Sequence, residues 1–360
     1  MENNLMRKDY NFNDVALATF LFVVFTLAFE GLMMFVPRAW FSNLFAVCVF
    51  QTLIEALFAV VAYLIARNRK LNIFEVTGMK KKVNLKIVGL AFLISVLCLI
   101  FFGGLTNVFI DFLNFVGYHS KSSDIVIDSF GKYIVYVVSL CVAPAIFEEM
   151  LFRGTILKGL KCYGATIAIL VSAAIFMIMH GSPDQTIHQF VIGIIVGYIF
   201  FKTGNLWIGV FVHFFNNFIS VTQIYGLTII QNSQPAAEEA VEVASSNPTF
   251  LSLILSLVYS LIFASIGYML VVAILKSISS ENEKLNSAKA GESVISVDGK
   301  EQIIELAVEG QVVTQNTENG EQILIKTNQK ISSRSRILFF VAGAILVGMW
   351  LLTFISGFVS

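Results

Sequence analysis

Two adjacent glutamates and an arginine stand within an apolar stretch of the sequence, at Glu148, Glu149 and Arg153. Ionisable side chains are costly in such a stretch, so they are candidates for function by default. Neighbouring residues of a helix point about 100° apart, so the two carboxylates cannot share one environment. Glu149 precedes Arg153 by four residues, the favourable order for an ion pair, which leaves Glu148 free to face a cavity. Pro144, one turn earlier, removes a backbone hydrogen bond and predicts a kink.

Two histidines and an asparagine lie in the apolar stretches that follow. Phe176 and His180 are four residues apart and share one face of a helix, as do His213 and Asn217. A face that carries both a histidine and an asparagine is costly against hydrocarbon, so it should turn toward the protein interior. Asn216 points off that face and is expected to be a packing or backbone-bonding amide.

The first of these histidines can reach the depth of the glutamates. If their two spans form a hairpin that turns at Tyr163, Glu148 lies 15 residues before the turn and His180 lies 17 after it. The two then differ in depth by only about 3 Å. His119 and His188 fall in predicted loops on the outer side, and no role is assigned to them.

These residue types suit the hydrolysis of an amide bond. A carboxylate beside an imidazole can hold and deprotonate a water molecule, and a second histidine with an asparagine amide can donate to a developing oxyanion. A zinc ion on His180, His213 and a glutamate would also satisfy the ligand chemistry. The HExxH pattern that places two zinc ligands on one helix turn is absent from the sequence, which therefore favours no metal and no other cofactor.

The composition places these residues in a membrane protein. Hydrophobic residues make up 57% of the 360 residues and charged residues 13%, whereas soluble domains carry about 25% charged residues. The 34 phenylalanines cannot all be hidden in a soluble core of this size. Basic and acidic residues balance at 24 each, so no nucleic-acid partner is indicated. The four cysteines are scattered and are expected to be packing residues.

Candidate spans can be found directly, since about 20 apolar residues cross the hydrocarbon of a bilayer. Nine stretches qualify: 15–36, 44–66, 87–109, 133–147, 165–180, 187–201, 206–224, 250–275 and 337–359. The predicted fold class is an all-α integral membrane protein, a polytopic helix bundle of eight or nine spans with a small β-rich soluble insert.

Lysine and arginine in the short loops predict the orientation. The loop after span two holds seven of them, whereas the loop before it holds Arg38 alone. Lys158 and Lys161 follow span four and Lys202 ends span six, so the basic loops share one side if the N-terminus is cytoplasmic. The stretch after span seven has glutamates and no basic residue, as expected of an outer loop: Glu238, Glu239 and Glu242.

Five segments follow from this division of the chain. They are 1–132 with spans one to three, 133–225 with spans four to seven, 226–276 with the acidic loop and span eight, 277–335, and 336–360 with span nine. In 277–335, apolar residues alternate around the turn pairs Asp298-Gly299 and Asn319-Gly320, which predicts a cytoplasmic β-meander. No internal repeat is visible, which argues against a transporter of duplicated halves.

The three motifs together resemble those of a known family. Glu-Glu-x-x-x-Arg at 148–153, Phe-x-x-x-His at 176–180 and His-x-x-x-Asn at 213–217 resemble the motifs of the CPBP intramembrane proteases. That family includes the type II CAAX prenyl endopeptidases and bacteriocin-processing and immunity-related proteins. The resemblance extends over residues 133–225.

The resemblance implies a helical bundle around a polar cavity open to the cytoplasm. It implies that Glu148 and His180 activate water and that His213 and Asn217 stabilise the oxyanion. A glutamate-dependent mechanism without a metal is the better inference, with the Glu149 ion pair in support of the site.

We therefore predict an intramembrane endopeptidase that hydrolyses a peptide bond at or in the membrane. Its expected partners are a peptide or protein substrate and the lipid bilayer, and residue usage leans toward a bacterial cytoplasmic membrane. The alternative is a non-catalytic membrane scaffold that binds a cell-envelope enzyme as its partner. The three intact motifs favour the enzyme.

Overall fold

The computed structural model describes residues 9–119, 126–233, 249–287, 312–316, 322–326 and 331–358. In chain order its helices are α1 Phe12–Met33, α2 Arg38–Phe41, α3 Leu44–Asn68, α4 Ile73–Val76, α5 Leu85–Phe115, α6 Phe130–Tyr136, α7 Ala143–Leu151, α8 Lys158–Leu160, α9 Ala165–Met179, α10 Thr186–Thr203, α11 Leu206–Ser233, α12 Phe250–Ser287 and α13 Ser333–Ser356. Two π-helical segments, Val137–Val142 and Phe152–Leu157, flank α7, and short 3-10 turns cover Lys161–Tyr163 and Pro183–Gln185.

Long apolar helices make the chain an integral membrane protein. Within the described ranges, seven are long and apolar enough to cross a membrane: Phe12–Met33, Leu44–Asn68, Leu85–Phe115, Phe130–Tyr163, Pro183–Thr203, Phe250–Asn286 and Ser333–Ser356. Each of the nine predicted spans coincides with a helix. However, α9 is shorter than the seven and α11 is not among them, although the sequence predicted a span in each.

Side-chain caps explain where several spans begin. The asparagine or serine before each of four helices accepts a hydrogen bond from backbone N–H groups of the first turn, which a helix leaves without partners. These caps are Asn11, Asn43, Asn84 and Ser332. The tight turn predicted at Tyr163 is also present, because Gly164 adopts a φ of 90° before α9 begins. α9 therefore turns back directly after the α7 segment.

The predicted β-rich insert is not supported. α12 continues to Ser287, so the first residues of segment 277–335 are helical. Beyond α12, the described residues contain one antiparallel pair, β1 Val312–Asn316 with β2 Gln322–Lys326. The turn pairs predicted at 298–299 and 319–320 lie outside the described residues, as does the acidic stretch 238–242.

Contacts with other helices explain why α12 extends beyond its apolar part. Glu281 accepts hydrogen bonds from Lys86 at 2.7 Å and from Asn84 at 2.9 Å. Asn205 donates to the side chain of Asn282 at 3.2 Å. Asn84, Lys86 and Asn205 lie far from α12 in the sequence. The local pattern of apolar residues in segment 277–335 therefore could not indicate these contacts.

α7 lies in the interior of the bundle, between α3 and α11. The following π-helical segment begins at Phe152, which is fully buried. The Phe152 ring makes edge-to-face contacts with Phe22, Phe58 and Phe176, at centroid distances of 6.2, 6.2 and 5.3 Å. Such contacts add to the burial of the rings. This aromatic cluster fixes α7 relative to α1, α3 and α9.

A π-helical turn, Val137–Val142, lies just before Pro144, where the sequence predicted a kink. Pro144 has no N–H to donate to the carbonyl of Leu140, and Asn217 on α11 donates to that carbonyl at 3.0 Å. In the second π-helical segment, the Ser172 hydroxyl donates to the Phe152 carbonyl at 3.0 Å. Irregular backbone is tolerated at membrane depth where neighbouring helices satisfy its polar groups. π-Helical turns are frequent at functional sites.

The basic loops meet at one end of the bundle. Lys81 Nζ, in the loop between α3 and α5, donates to the carbonyl of Thr203 at 2.7 Å. Lys158 Nζ, on α8, donates to the carbonyl of Val76 at 2.6 Å. The loops that the charge pattern assigned to one side therefore touch each other. That this side is the cytoplasmic one stays a prediction.

Candidate active site

Glu148 on α7 is a buried carboxyl group surrounded by groups that exchange protons. Only 4% of the residue is exposed. Its Oε2 lies 4.0 Å from Nε2 of His213, and its carboxyl group is within hydrogen-bonding range of Glu55 on α3. No donor of the described residues bonds to Oε2 of Glu148. The carboxylate thus has an acceptor position open for the proton of a water molecule.

Glu149 holds a buried charge network on the other side of α7. Its Oε1 accepts hydrogen bonds from Arg153 Nη1 at 2.9 Å and from His213 Nδ1 at 3.0 Å. Arg153 also donates to the carbonyl of Gly193 at 3.3 Å, and its guanidinium lies 4.4 Å from the centroid of Phe176. The predicted ion pair between Glu149 and Arg153 is therefore present. His213 joins it through a hydrogen bond to Glu149 that the sequence did not indicate.

Phe176 positions both histidines of the site. Its ring makes edge-to-face contacts with His180 at 4.8 Å and with His213 at 5.7 Å between centroids. Nδ1 of His180 lies 2.8 Å from the Phe176 carbonyl. Because a carbonyl only accepts, that nitrogen carries the hydrogen, and a neutral His180 has an unprotonated Nε2. The Phe-x-x-x-His motif therefore fixes both the position and the tautomer of this imidazole.

The structure does not bond His180 directly to Glu148. No hydrogen bond or ion pair joins the two side chains in the part of the chain that the structure describes. The imidazole that faces Glu148 is that of His213, which was predicted as an oxyanion donor. His180, directly after α9, and His213 on α11 nevertheless both contact Phe176, and His213 faces Glu148 on α7. No hydrogen bond joins Asn217 to these three side chains among the described residues.

Asn217 belongs to a chain of polar side chains that the sequence only partly indicated. It donates to the Leu140 carbonyl, and its Oδ1 accepts from Asn216 at 3.3 Å. Asn216 in turn lies 3.0 Å from Nε2 of His188. The prediction that Asn216 is a packing or backbone-bonding amide was wrong, because its amide bonds the side chains of His188 and Asn217. His188 lies in the first turn of α10 rather than in a loop.

Two further residues near the glutamates were missed. Glu55 interrupts an apolar span, and that alone is a signal of function. Gly209 on α11 gives room to the charge network, since a Cβ there would lie 3.3 Å from Oε2 of Glu149 and 2.8 Å from a methyl of Val196. A glycine within a helical pattern was the only sequence sign of this close approach.

A metal ion would need ligand atoms of the site that are not already bonded to another side chain. Within the described ranges, no group of three or more His, Cys, Asp or Glu side chains is arranged to hold one. The Nδ1 of His213 and the Oε1 of Glu149 bond each other. The Oε2 atoms of Glu55, Glu148 and Glu149 have no donor among the described residues, and Nε2 of His180 also makes no hydrogen bond there.

Glu149→Gln is expected to destabilise the protein by about 3–5 kcal/mol, because Arg153 would remain buried without a compensating charge. The measurement is the midpoint of denaturation by sodium dodecyl sulfate in mixed micelles. The control is Glu75→Gln, which breaks an exposed pair with Lys80 and should cost less than about 1 kcal/mol. Equal midpoints for the two variants would show that Glu149 does not stabilise the fold.

Comparison with known proteins agrees with the motifs. Residues 130–219 match the family model described as Type II CAAX prenyl endopeptidase Rce1-like. No curated protein and no solved structure matches the chain. The matched stretch is a quarter of the chain and contains all three motifs. The predicted resemblance is thereby confirmed: residues 130–219 match the Rce1-like family of type II CAAX prenyl endopeptidases, consistent with the CPBP proteases.

Proposed function

We propose that this protein is an intramembrane endopeptidase in which Glu148 accepts a proton from the water that attacks a peptide bond. The observation that carries the proposal is the buried Oε2 of Glu148, which no donor among the described residues satisfies and which faces His213 at 4.0 Å. That separation is too long for a hydrogen bond. One water molecule can contact both atoms, as bridging waters commonly do.

The histidines take different parts in this proposal because their Nδ1 atoms have different partners. His180 donates to a carbonyl through Nδ1, so its Nε2 accepts a hydrogen bond from the water and orients it. His213 donates to Glu149 through Nδ1 and can donate through Nε2 only when doubly protonated. The carboxylate of Glu149 offsets the charge of that form, so His213 can stabilise a developing oxyanion.

Asn217 is the proposed second donor to the oxyanion. Its amide carries two hydrogens, and the Leu140 carbonyl accepts one of them. In the reaction, the water oxygen bonds to the peptide carbon and its proton passes to Glu148. Glu148 then delivers that proton to the amine as the C–N bond breaks.

A digest of native membranes tests this function even though the substrate is unidentified. The purified protein in lipid nanodiscs is added to membranes from cells that lack it, and new peptide termini are quantified by mass spectrometry. We expect termini that appear with the wild type and not with Glu148→Gln. Identical sets of termini would contradict the protease and favour the scaffold.

Hydrolysis is expected to survive removal of metal ions, because we propose that the side chains alone activate the water. Prolonged treatment with a strong chelator should leave the digest unchanged, and metal analysis should find no stoichiometric zinc. Loss of cleavage that added zinc restores would instead make His180 and His213 metal ligands.

The charge pattern supports a proposed location for this activity. We place the basic end of the bundle and the N-terminus in the cytoplasm of a bacterial cell, with cleavage near that membrane surface. The substrate would then be a membrane-associated peptide or protein.

A further inference from the structure

Glu55 brings a second carboxyl group to the candidate base from outside the family match. It lies in the middle of α3, and only 5% of it is exposed. α3 packs along α7. A carboxyl group in such a place is costly unless its charge is neutralised or well bonded. The contacts of Glu55 must therefore explain why it is tolerated there.

The contacts of Glu55 require a proton. Gln51, one turn earlier, donates from Nε2 to Oε1 of Glu55 at 2.7 Å. The Oε2 of Glu55 and the Oε2 of Glu148 have no donor among the described residues, although the two carboxyl groups are within hydrogen-bonding range. Ionised carboxylates only accept hydrogen bonds and repel each other. One proton between them converts the repulsion into a hydrogen bond.

The charge balance of the buried site leads to the same result. Three carboxyl groups meet there, those of Glu55, Glu148 and Glu149. Arg153 neutralises one of them, and the doubly protonated His213 of the proposed mechanism would neutralise a second. No lysine or arginine within the described ranges forms an ion pair with Glu55. The third carboxyl group is therefore uncompensated unless it binds a proton, and a buried uncompensated charge is strongly unfavourable.

We propose that Glu55 and Glu148 form a carboxyl pair that holds one proton, and that Glu55 carries this proton when Glu148 acts as the base. This inference rests on the proposed function of Glu148. Because Gln51 occupies Oε1, the proton of Glu55 lies on Oε2 and is donated to the Glu148 carboxylate. Glu55 is thus a positioning residue: it orients the base and keeps its own proton throughout the cycle.

Kinetics of two substitutions test the positioning role. Glu55→Leu removes the donor and should slow the formation of new termini in the membrane digest by roughly tenfold to hundredfold, the effect of one hydrogen bond to a charged group. The loss should persist at saturating membrane concentration, which marks an effect on kcat rather than on KM. Glu55→Gln supplies an amide donor and should restore the rate to within a few-fold of wild type.

The control for these rates is Glu30→Gln, which changes an exposed carboxyl group on α1 and should leave the rate unchanged. A wild-type rate for Glu55→Leu would overturn the proposal. So would a rate for Glu55→Gln as low as that for Glu55→Leu, because the amide replaces the proposed donor.

Infrared spectroscopy tests the proton itself and requires no turnover. A protonated carboxyl group has a C=O stretching band that carboxylates lack. We expect this band in the wild type and its loss in both Glu55→Gln and Glu148→Gln, because each remaining carboxylate gains an amide donor. Glu75→Gln, which removes an exposed ionised group, should not change the band. A Glu55→Gln spectrum with the wild-type band would overturn the shared proton.

The two readouts separate failure of this inference from failure of the proposed function. If the wild type cleaves nothing, the protease proposal fails, while the infrared band still decides whether Glu55 and Glu148 share a proton. If the wild type cleaves and the band is unaffected by Glu55→Gln, only the carboxyl pair is rejected.

Discussion

Glu148→Gln is expected to lower the rate of peptide-bond hydrolysis by roughly 100-fold to 10,000-fold, the usual contribution of a general base. Glutamine has the size of glutamate but cannot accept a proton from water at neutral pH. Glu148 makes no ion pair with Arg153, whose partner is Glu149. The substitution should therefore remove the chemical step and leave insertion and packing intact.

The measurement for this variant is the rate of terminus formation in the membrane digest, at equal amounts of protein in nanodiscs. The denaturation midpoint in mixed micelles serves as the folding control and should stay close to that of the wild type. Hydrolysis by Glu148→Gln at near-wild-type rate would reject Glu148 as the base. Complementation of a deletion strain distinguishes the protease from a non-catalytic scaffold. If the protein is a scaffold, Glu148→Gln should fully rescue the strain.

The sequence predicted the membrane bundle and the residues of the site because both signals are strong and local. An apolar stretch the length of a bilayer has few alternatives to a helix, and each predicted span coincides with one. Spacing of four residues placed Phe176 with His180 and Glu149 with Arg153, as the structure shows. The hairpin turn assumed at Tyr163 is also present, with Gly164 directly before α9.

Contacts between helices could not be predicted in this way. The spacing of residues within a helix does not state which neighbour the helix packs against. The bond from His213 to Glu149, the approach of Glu55 to Glu148, and the contact of His188 with Asn216 all join separate helices. Glu55 was still detectable in principle as an acidic residue in an apolar span.

For the predicted insert, by contrast, the alternation of apolar residues was taken as sufficient evidence for strands. The insert was predicted to begin at residue 277, yet α12 runs to Ser287 because Asn84, Lys86 and Asn205 bond its polar end. Beyond α12, the described residues form only the pair β1 and β2. A two-stranded pair such as β1 and β2 is at best marginally stable alone. Alternation in a polar segment therefore did not establish a β domain.

Asn217→Ala is expected to reduce the hydrolysis rate by about 100-fold or more, the typical effect of removing one oxyanion donor. Asn217 also has a structural role, because it donates a hydrogen bond to the carbonyl of Leu140, four residues before Pro144. Loss of that hydrogen bond should cost about 1 kcal/mol of stability. The two tasks are separable, since the rate reports the transition state and the denaturation midpoint reports the fold.

Ser220→Ala is the matched control on the same helix, because the Ser220 hydroxyl donates only to the carbonyl of Asn216 within α11. It should alter neither rate nor midpoint appreciably. Asn216→Ala is unsuitable for this purpose, since Asn216 bonds both Asn217 and His188. If Asn217→Ala lowers the midpoint and hydrolyses at the wild-type rate, Asn217 only tethers the π-helical turn. His213 would then be the sole donor to the oxyanion among the residues proposed here.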